Sequence, residues 1–177
     1  MLFRSDDYKV PVEGVEVDGV VYAADAEAGT ATVAGVTVEN GCAIVPEVVV
    51  IDEVEYTVTA IAADAFAGIA AEEVRLPNTI TTEVELTGYE GYVFVQLGSD
   101  TAAYVTGDCV CYKGDYDDDK AVGVGDVIKV IQDLAGSGVE GYAQLACDVA
   151  ASEGNVIDVS DVIRLLQWLA SSSIILD

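Results

Sequence analysis

Two segments with one pattern, 35 positions apart, constrain most strongly what this chain can fold into. The first reads Asp126-Val-Ile-Lys-Val-Ile-Gln-Asp-Leu-Ala135 and the second Asp161-Val-Ile-Arg-Leu-Leu-Gln-Trp-Leu-Ala170, with six of ten positions identical. Both carry apolar residues at i, i+3, i+4 and i+7, the signature of one helix face. These are Val127, Val130, Ile131 and Leu134, then Val162, Leu165, Leu166 and Leu169. The register extends backward, since Val122 matches Ile157 and Val124 matches Val159. The pattern predicts a duplicated loop–helix unit whose two loops pair through a short β-bridge.

The loop before the first helix spans residues 115–126 and has Asp at positions 1, 3, 5 and 12. That is the spacing of a calcium loop of EF-hand type, in which one short turn supplies a hard cation with six to eight oxygens. Asp115, Asp117 and Asp119 are the expected side-chain ligands. Ala121 offers its carbonyl, Gly123 leaves room for a water, and Asp126 closes the shell at the helix start. Lys120 stands where Gly usually makes the sharp turn, which predicts a left-handed non-Gly residue costing on the order of 1 kcal/mol.

The second loop is poorer. Counting twelve residues back from Asp161 puts position 1 on Ala150, which cannot coordinate. Asp148 serves only if the loop carries two extra residues. Asp158 and Asp161 are the other acidic candidates, Ser152 or Glu153 adds an oxygen, Val156 adds a carbonyl, and Asn155 suits the left-handed position. Such a loop is expected to bind calcium more weakly than the first, or to hold its shape partly without metal.

Charge narrows the partners. Lys and Arg total 7 against 32 Asp and Glu, His is absent, and the net charge is −25. Nucleic acid and anionic membranes would repel such a chain, whereas cations and basic protein surfaces would not. No apolar run is long enough to span a bilayer. The first seven residues lack an apolar h-region, so no signal peptide is expected in this segment. Of the four cysteines, Cys109 and Cys111 do not have zinc-knuckle spacing. A bridge from Cys147 to Cys109 or Cys111 would tie the two loop entrances together, and free buried thiols are the alternative.

The stretch 105–114 reads as strand or loop, so each calcium-type loop is expected to be followed but not preceded by a helix. With a Gly-Asp start at Gly114 and Asp at both closing positions, the segment from Gly107 onward resembles a dockerin. The resemblance implies a non-catalytic assembly module. Its calcium-folded helices bind a cohesin domain on a scaffold protein and couple cargo to a bacterial, extracellular, cellulosome-like complex for polysaccharide degradation. Family contact positions fall on Val124 and Gly125 and on Val159 and Ser160. The outer helix positions are Lys129, Gln132 and Asp133, then Arg164, Gln167 and Trp168. The Ser-Thr type pair is absent from the first copy, and Trp168 is either an interface anchor or buried packing.

The amino-terminal part reads as β-rich. Residues 19–35 predict one hairpin, and residues 48–61 predict a second that turns at Asp52 and Glu53. Val58-Thr-Ala-Ile61, Ala65-Phe-Ala-Gly68 and Val74-Arg-Leu-Pro77 resemble one leucine-rich repeat of the BspA-like surface type, and residues 79–105 look like a decayed copy. One clear copy is too few for a solenoid, because repeats need neighbours to bury their faces. Phe66, Ile61 and Leu76 are expected in the core.

The fold class expected is α+β: a β-rich, leucine-rich-repeat-like module over residues 1–106, then a small helical module with two calcium loops over residues 107–177. Without His no Ser or Cys triad can be assembled, and no phosphate loop is present, so no enzyme is expected. The alternative to cohesin binding is a calcium-stabilised surface adhesin whose repeat module meets a protein or glycan.

Overall fold

The computed structural model describes residues 14–38, 41–136, 141–150 and 156–176. Strands β1 (Val15–Val17), β2 (Val20–Asp25), β3 (Thr30–Val36), β4 (Cys42–Ile44), β5 (Val48–Ile51) and β6 (Val54–Ile61) come first. Strands β7 (Glu73–Arg75), β8 (Val84–Glu85), β9 (Tyr92–Val95), β10 (Val105–Thr106) and β11 (Val110–Tyr112) follow. The helices are α1 (Asp100–Tyr104), α2 (Val124–Ala135), α3 (Tyr142–Cys147) and α4 (Val159–Ala170). The chain is therefore α+β, with the strands first and the longer helices last.

Five strands form one sheet in the order β1-β2-β3-β6-β5, and both expected hairpins are in it. Asp25 builds the first turn by accepting from the amides of Glu27 and Ala28. The second turns at Asp52 and Glu53, both with positive φ, as the type I′ geometry of a two-residue hairpin requires. Alternation sets the faces: Val49 and Ile51 point inward while Val48 and Val50 face solvent.

The second sheet is a parallel ladder in the order β11-β9-β7-β4. Ala43, Val74, Val93 and Val110 are register partners along one row and pack into the first core with Val58, Phe66 and Leu76. Four parallel rungs exceed the one clear and one decayed copy expected from sequence. The first and last rungs are three residues each, too short to show a period. Strand β11 lies after residue 106, so the ladder runs across the division expected at 106/107. The other face of the ladder carries the row Ile44, Arg75, Phe94 and Cys111.

That outer face receives the carboxy-terminal half. Phe94 and Cys111 join Val127, Val130, Cys147, Leu165, Trp168 and Leu176 in a second core. Tyr142 packs edge-on against Tyr92 at 5.3 Å and against Phe94 at 5.9 Å between ring centroids. Hydrogen bonds stitch the join: Gly114 N donates to Ala146 O at 2.7 Å, and Leu176 N donates to the side-chain Gln96 Oε1 at 2.8 Å. Lys113 Nζ also donates to Leu176 O at 2.9 Å.

Two expectations are corrected here: among the described residues no β-bridge joins the two loops, since Val122 and Ile157 both lie outside strands, and one loop has an incoming helix. The second loop is preceded by a helix, α3, which ends at Cys147 directly before Asp148. Its six residues are too few to display a helical period in sequence. Of the two readings of the cysteines, the structure has the free thiols, with Cys111 and Cys147 buried in the second core. Burial pushes the Cys111 thiol up to about 11 and raises that of Cys147 as well. Both therefore stay protonated and inert. No helix among the described residues is long and apolar enough to cross a membrane.

Candidate functional site

The first loop is folded by its own carboxylates. Asp115 is fully buried, and its oxygens accept from the amides of Asp119 at 3.2 Å and Lys120 at 2.9 Å. These bonds curl the chain inward and hold Lys120 at φ 68°, the left-handed position expected of it. At the other end Asp126, in the first turn of α2, accepts from Gly123 N at 2.7 Å and from Tyr116 N at 2.9 Å. A carboxylate there favours the helix N-terminus.

One oxygen each from Asp115, Asp117 and Asp126 lies within 4.8 Å of the others. Burial pushes the Asp115 carboxyl above the usual carboxylate range. The amides of Lys120 and Asp119 pull it down, and the charges of Asp126 and Asp119 push it up again. A hard divalent cation fits this donor set, because it takes oxygen ligands and relieves the repulsion of converged carboxylates. Lys120 does not do so: its ammonium lies 2.5 Å from Asp118. Asp119 is not in the convergent group, and its Oδ1 accepts from Ala121 N at 2.9 Å.

The second loop repeats the closing geometry. Asp161 is fully buried and accepts from Val149 and Ala150 amides at 2.9 Å and from Asp158 N at 2.8 Å. Asp158 starts α4 by accepting from Ser160 N at 2.6 Å, and the Ser160 hydroxyl also bonds to it. These bonds lower the Asp158 carboxyl, the hydroxyl contributing most. Asp148 instead faces Arg75 of β7: one guanidinium nitrogen donates to its Oδ2 at 3.0 Å, the other to its carbonyl at 3.1 Å. Val156 is exposed, whereas Ser152, Glu153 and Asn155 lie outside the described residues.

The helix faces differ from the expected ones. Val127 and Val130, with Val162 and Leu165, are buried as predicted, but Ile131 and Leu166 are not. Each helix carries a second apolar stripe that faces out. Val124, Ile128 and Ile131 on α2, and their repeat equivalents Val159, Ile163 and Leu166 on α4, are 46–68% exposed. The sequence held this signal, since these residues recur at i, i+4 and i+7. The helices have more apolar positions than a two-helix contact can cover.

Several expected contact residues are engaged elsewhere. Trp168 is buried in the second core, so it is packing and not an exposed anchor. Asp133 accepts from the Tyr116 hydroxyl, a bond that pushes that phenol up to about 12. Lys129 Nζ sits 5.5 Å over the Tyr116 ring, a cation–π contact. Arg164 is half-buried, while Gly125, Gln132, Ser160 and Gln167 are exposed.

No family model matches the chain, and no curated protein matches it. Among solved structures it is similar to a leucine-rich repeat protein from Bacteroides capillosus ATCC 29799. The two are 15% identical over 58% of this chain and 99% of that one, with a TM-score of 0.41. That likeness carries no argument, and the repeat description stands on the parallel ladder itself.

Proposed function

We propose that the chain is a non-catalytic assembly module, built on a dockerin-like, calcium-folded loop–helix pair that docks a cohesin domain of a scaffold protein. The reading implies an extracellular or cell-surface setting in a bacterium, with the repeat module as cargo or spacer. One observation carries it: an outward apolar stripe, Val124–Ile128–Ile131, begins within a loop that brings three carboxylates together and recurs as Val159–Ile163–Leu166. Paired apolar stripes of this kind belong to interaction surfaces more often than to free ones. The calcium-type loop sets the start of α2, so metal binding and presentation of the stripe are linked through Asp126.

Isothermal titration against a panel of cohesins, with calcium and then with chelator, tests the proposal. Binding should appear with calcium, vanish with chelator and vanish in Asp126→Ala. Binding that survives both treatments sinks the calcium-built interface, and silence against every cohesin sinks the partner class.

The adhesin reading has its own observation. A cleft of about 510 Å³ lies where the repeat ladder meets α3, lined by Ile69, Glu72, Glu90, Tyr92, Tyr142 and Leu145. Glycan-array binding that is lost in Tyr92→Ala but indifferent to Ile128→Asp would favour that reading.

A further inference from the structure

The two loops share their closing bonds but differ in what faces their first carboxylate. Gly123 N to Asp126 Oδ2 (2.7 Å) corresponds to Asp158 N to Asp161 Oδ2 (2.8 Å). Tyr116 N to Asp126 Oδ1 corresponds to Val149 N to Asp161 Oδ1, both at 2.9 Å. Ala150 N reaches the same Asp161 oxygen at 2.9 Å, and of the two matches only the one through Val149 places an acidic residue, Asp148, where the first loop has Asp115.

Asp115 turns its oxygens toward its own loop and toward Asp117 and Asp126. Asp148 turns both its carboxylate and its carbonyl toward the Arg75 guanidinium. Arg75 also holds Glu73 at 3.1 Å, and Glu73, Arg75, Asp148 and Asp161 are all buried. Among the described residues, the three-carboxylate group in the first loop has no counterpart in the second.

We propose that Arg75 takes the place of a second calcium ion. Its guanidinium is the fixed internal cation of the second loop, so the chain binds one calcium, in the first loop. The inference rests on the reading of the first loop as a calcium site. A guanidinium suits the task because it carries permanent charge and donates to two oxygens of one residue in a fixed fork. A divalent ion on the Asp148 oxygens would sit against that charge at short range in a buried setting, where repulsion is weakly screened. Displacing Arg75 would take from the buried Glu73 its 3.1 Å ion pair. The described ends of the second loop thus hold with or without metal, and do so by gripping the repeat ladder.

Calcium counting on the full chain tests this, by native mass spectrometry and calorimetry after chelator treatment. One calcium is expected in the unmodified chain and in Asp148→Asn, with Kd changed by no more than about twofold, and none in Asp126→Ala. Two calcium ions, falling to one in Asp148→Asn, would overturn the proposal. No calcium in the unmodified chain would instead remove the first-loop reading on which it rests. Arg75→Met should lower the melting temperature in chelator. No drop in chelator would also overturn it. If Arg75→Met does not fold, Arg75→Lys keeps a charge and should fold with one calcium.

Discussion

The first and second loop–helix units share a repeat, a capping geometry and a helix length, yet they solve the same electrostatic problem differently. In both, an Asp in the first turn of the helix gathers loop amides. In the first, Asp115 and Asp117 converge on that closing Asp126, the donor set proposed above for an external cation. In the second, the equivalent carboxylate meets an arginine from a strand about 70 residues earlier in the chain. A duplicated motif need not keep a duplicated chemistry once one copy packs against a neighbour that supplies the charge.

The largest expected effect separates the copies by their closing residues. Asp161→Ala strands three loop amides in a buried setting and should cost about 3 kcal/mol or more, equally with and without calcium, in urea unfolding. Asp126→Ala should cost more in calcium than in chelator, because only that loop gains from the ion. Equal behaviour of the two variants would break the comparison.

A core substitution comes next. Leu165→Ala, at a fully buried position of α4, should lose about 2–5 kcal/mol, whereas Ile163→Asp on the exposed stripe should stay within about 0.5 kcal/mol. Thermal melts of the pair report which face of α4 is packed. An Ile163→Asp variant that unfolds would mean the outer stripe is covered in the native chain.

Chelation gives the third test. At calcium 100-fold above Kd, removing the ion should withdraw about 2.7 kcal/mol of stability. Hydrogen exchange should locate the loss: amides of Tyr116, Asp119, Lys120 and Gly123 should exchange faster, while those of Val149, Ala150 and Asp158 keep their protection. Loss of protection in both loops would reverse the assignment of roles.

The smallest effect concerns pH. Burial raises the Asp115 and Asp148 carboxyls in the folded chain above their unfolded values. A raised acid binds its proton more readily when folded, so the calcium-free chain should gain stability as pH falls from neutrality through those raised values. The gain ends once the unfolded carboxyls are protonated too. Relief of self-repulsion at a net charge of −25 acts in the same direction. A melting temperature in chelator that falls steadily over that range would contradict this.

Much of the carboxy-terminal half was legible in the sequence because its signals are local. A carboxylate spacing and a 3.6-residue apolar period are each written within a dozen residues, and the repeat shows by aligning two such stretches. Lys120 at positive φ and the turn at Asp52 and Glu53 follow from the same kind of short-range reasoning. Helix α3 was not legible, since six residues between a turn and a loop carry no period. The ladder was half legible: the repeat-like residues from Val58 to Leu76 mark one coil, while Cys42–Ile44 and Val110–Tyr112 are too short to announce themselves as rungs.

By itself the sequence determined the duplication, the left-handed turn of the first loop, the two hairpins and the excess of apolar positions on both helices. Only the tertiary structure decided which apolar stripe is buried, that Trp168 is packing, and that Asp148 answers to Arg75. Local spacing dictates how a turn or a helix closes, because the bonds involved span a few residues. The identity of the charge facing Asp148 depends on a ladder strand far earlier in the chain, and no pattern within the loop encodes it.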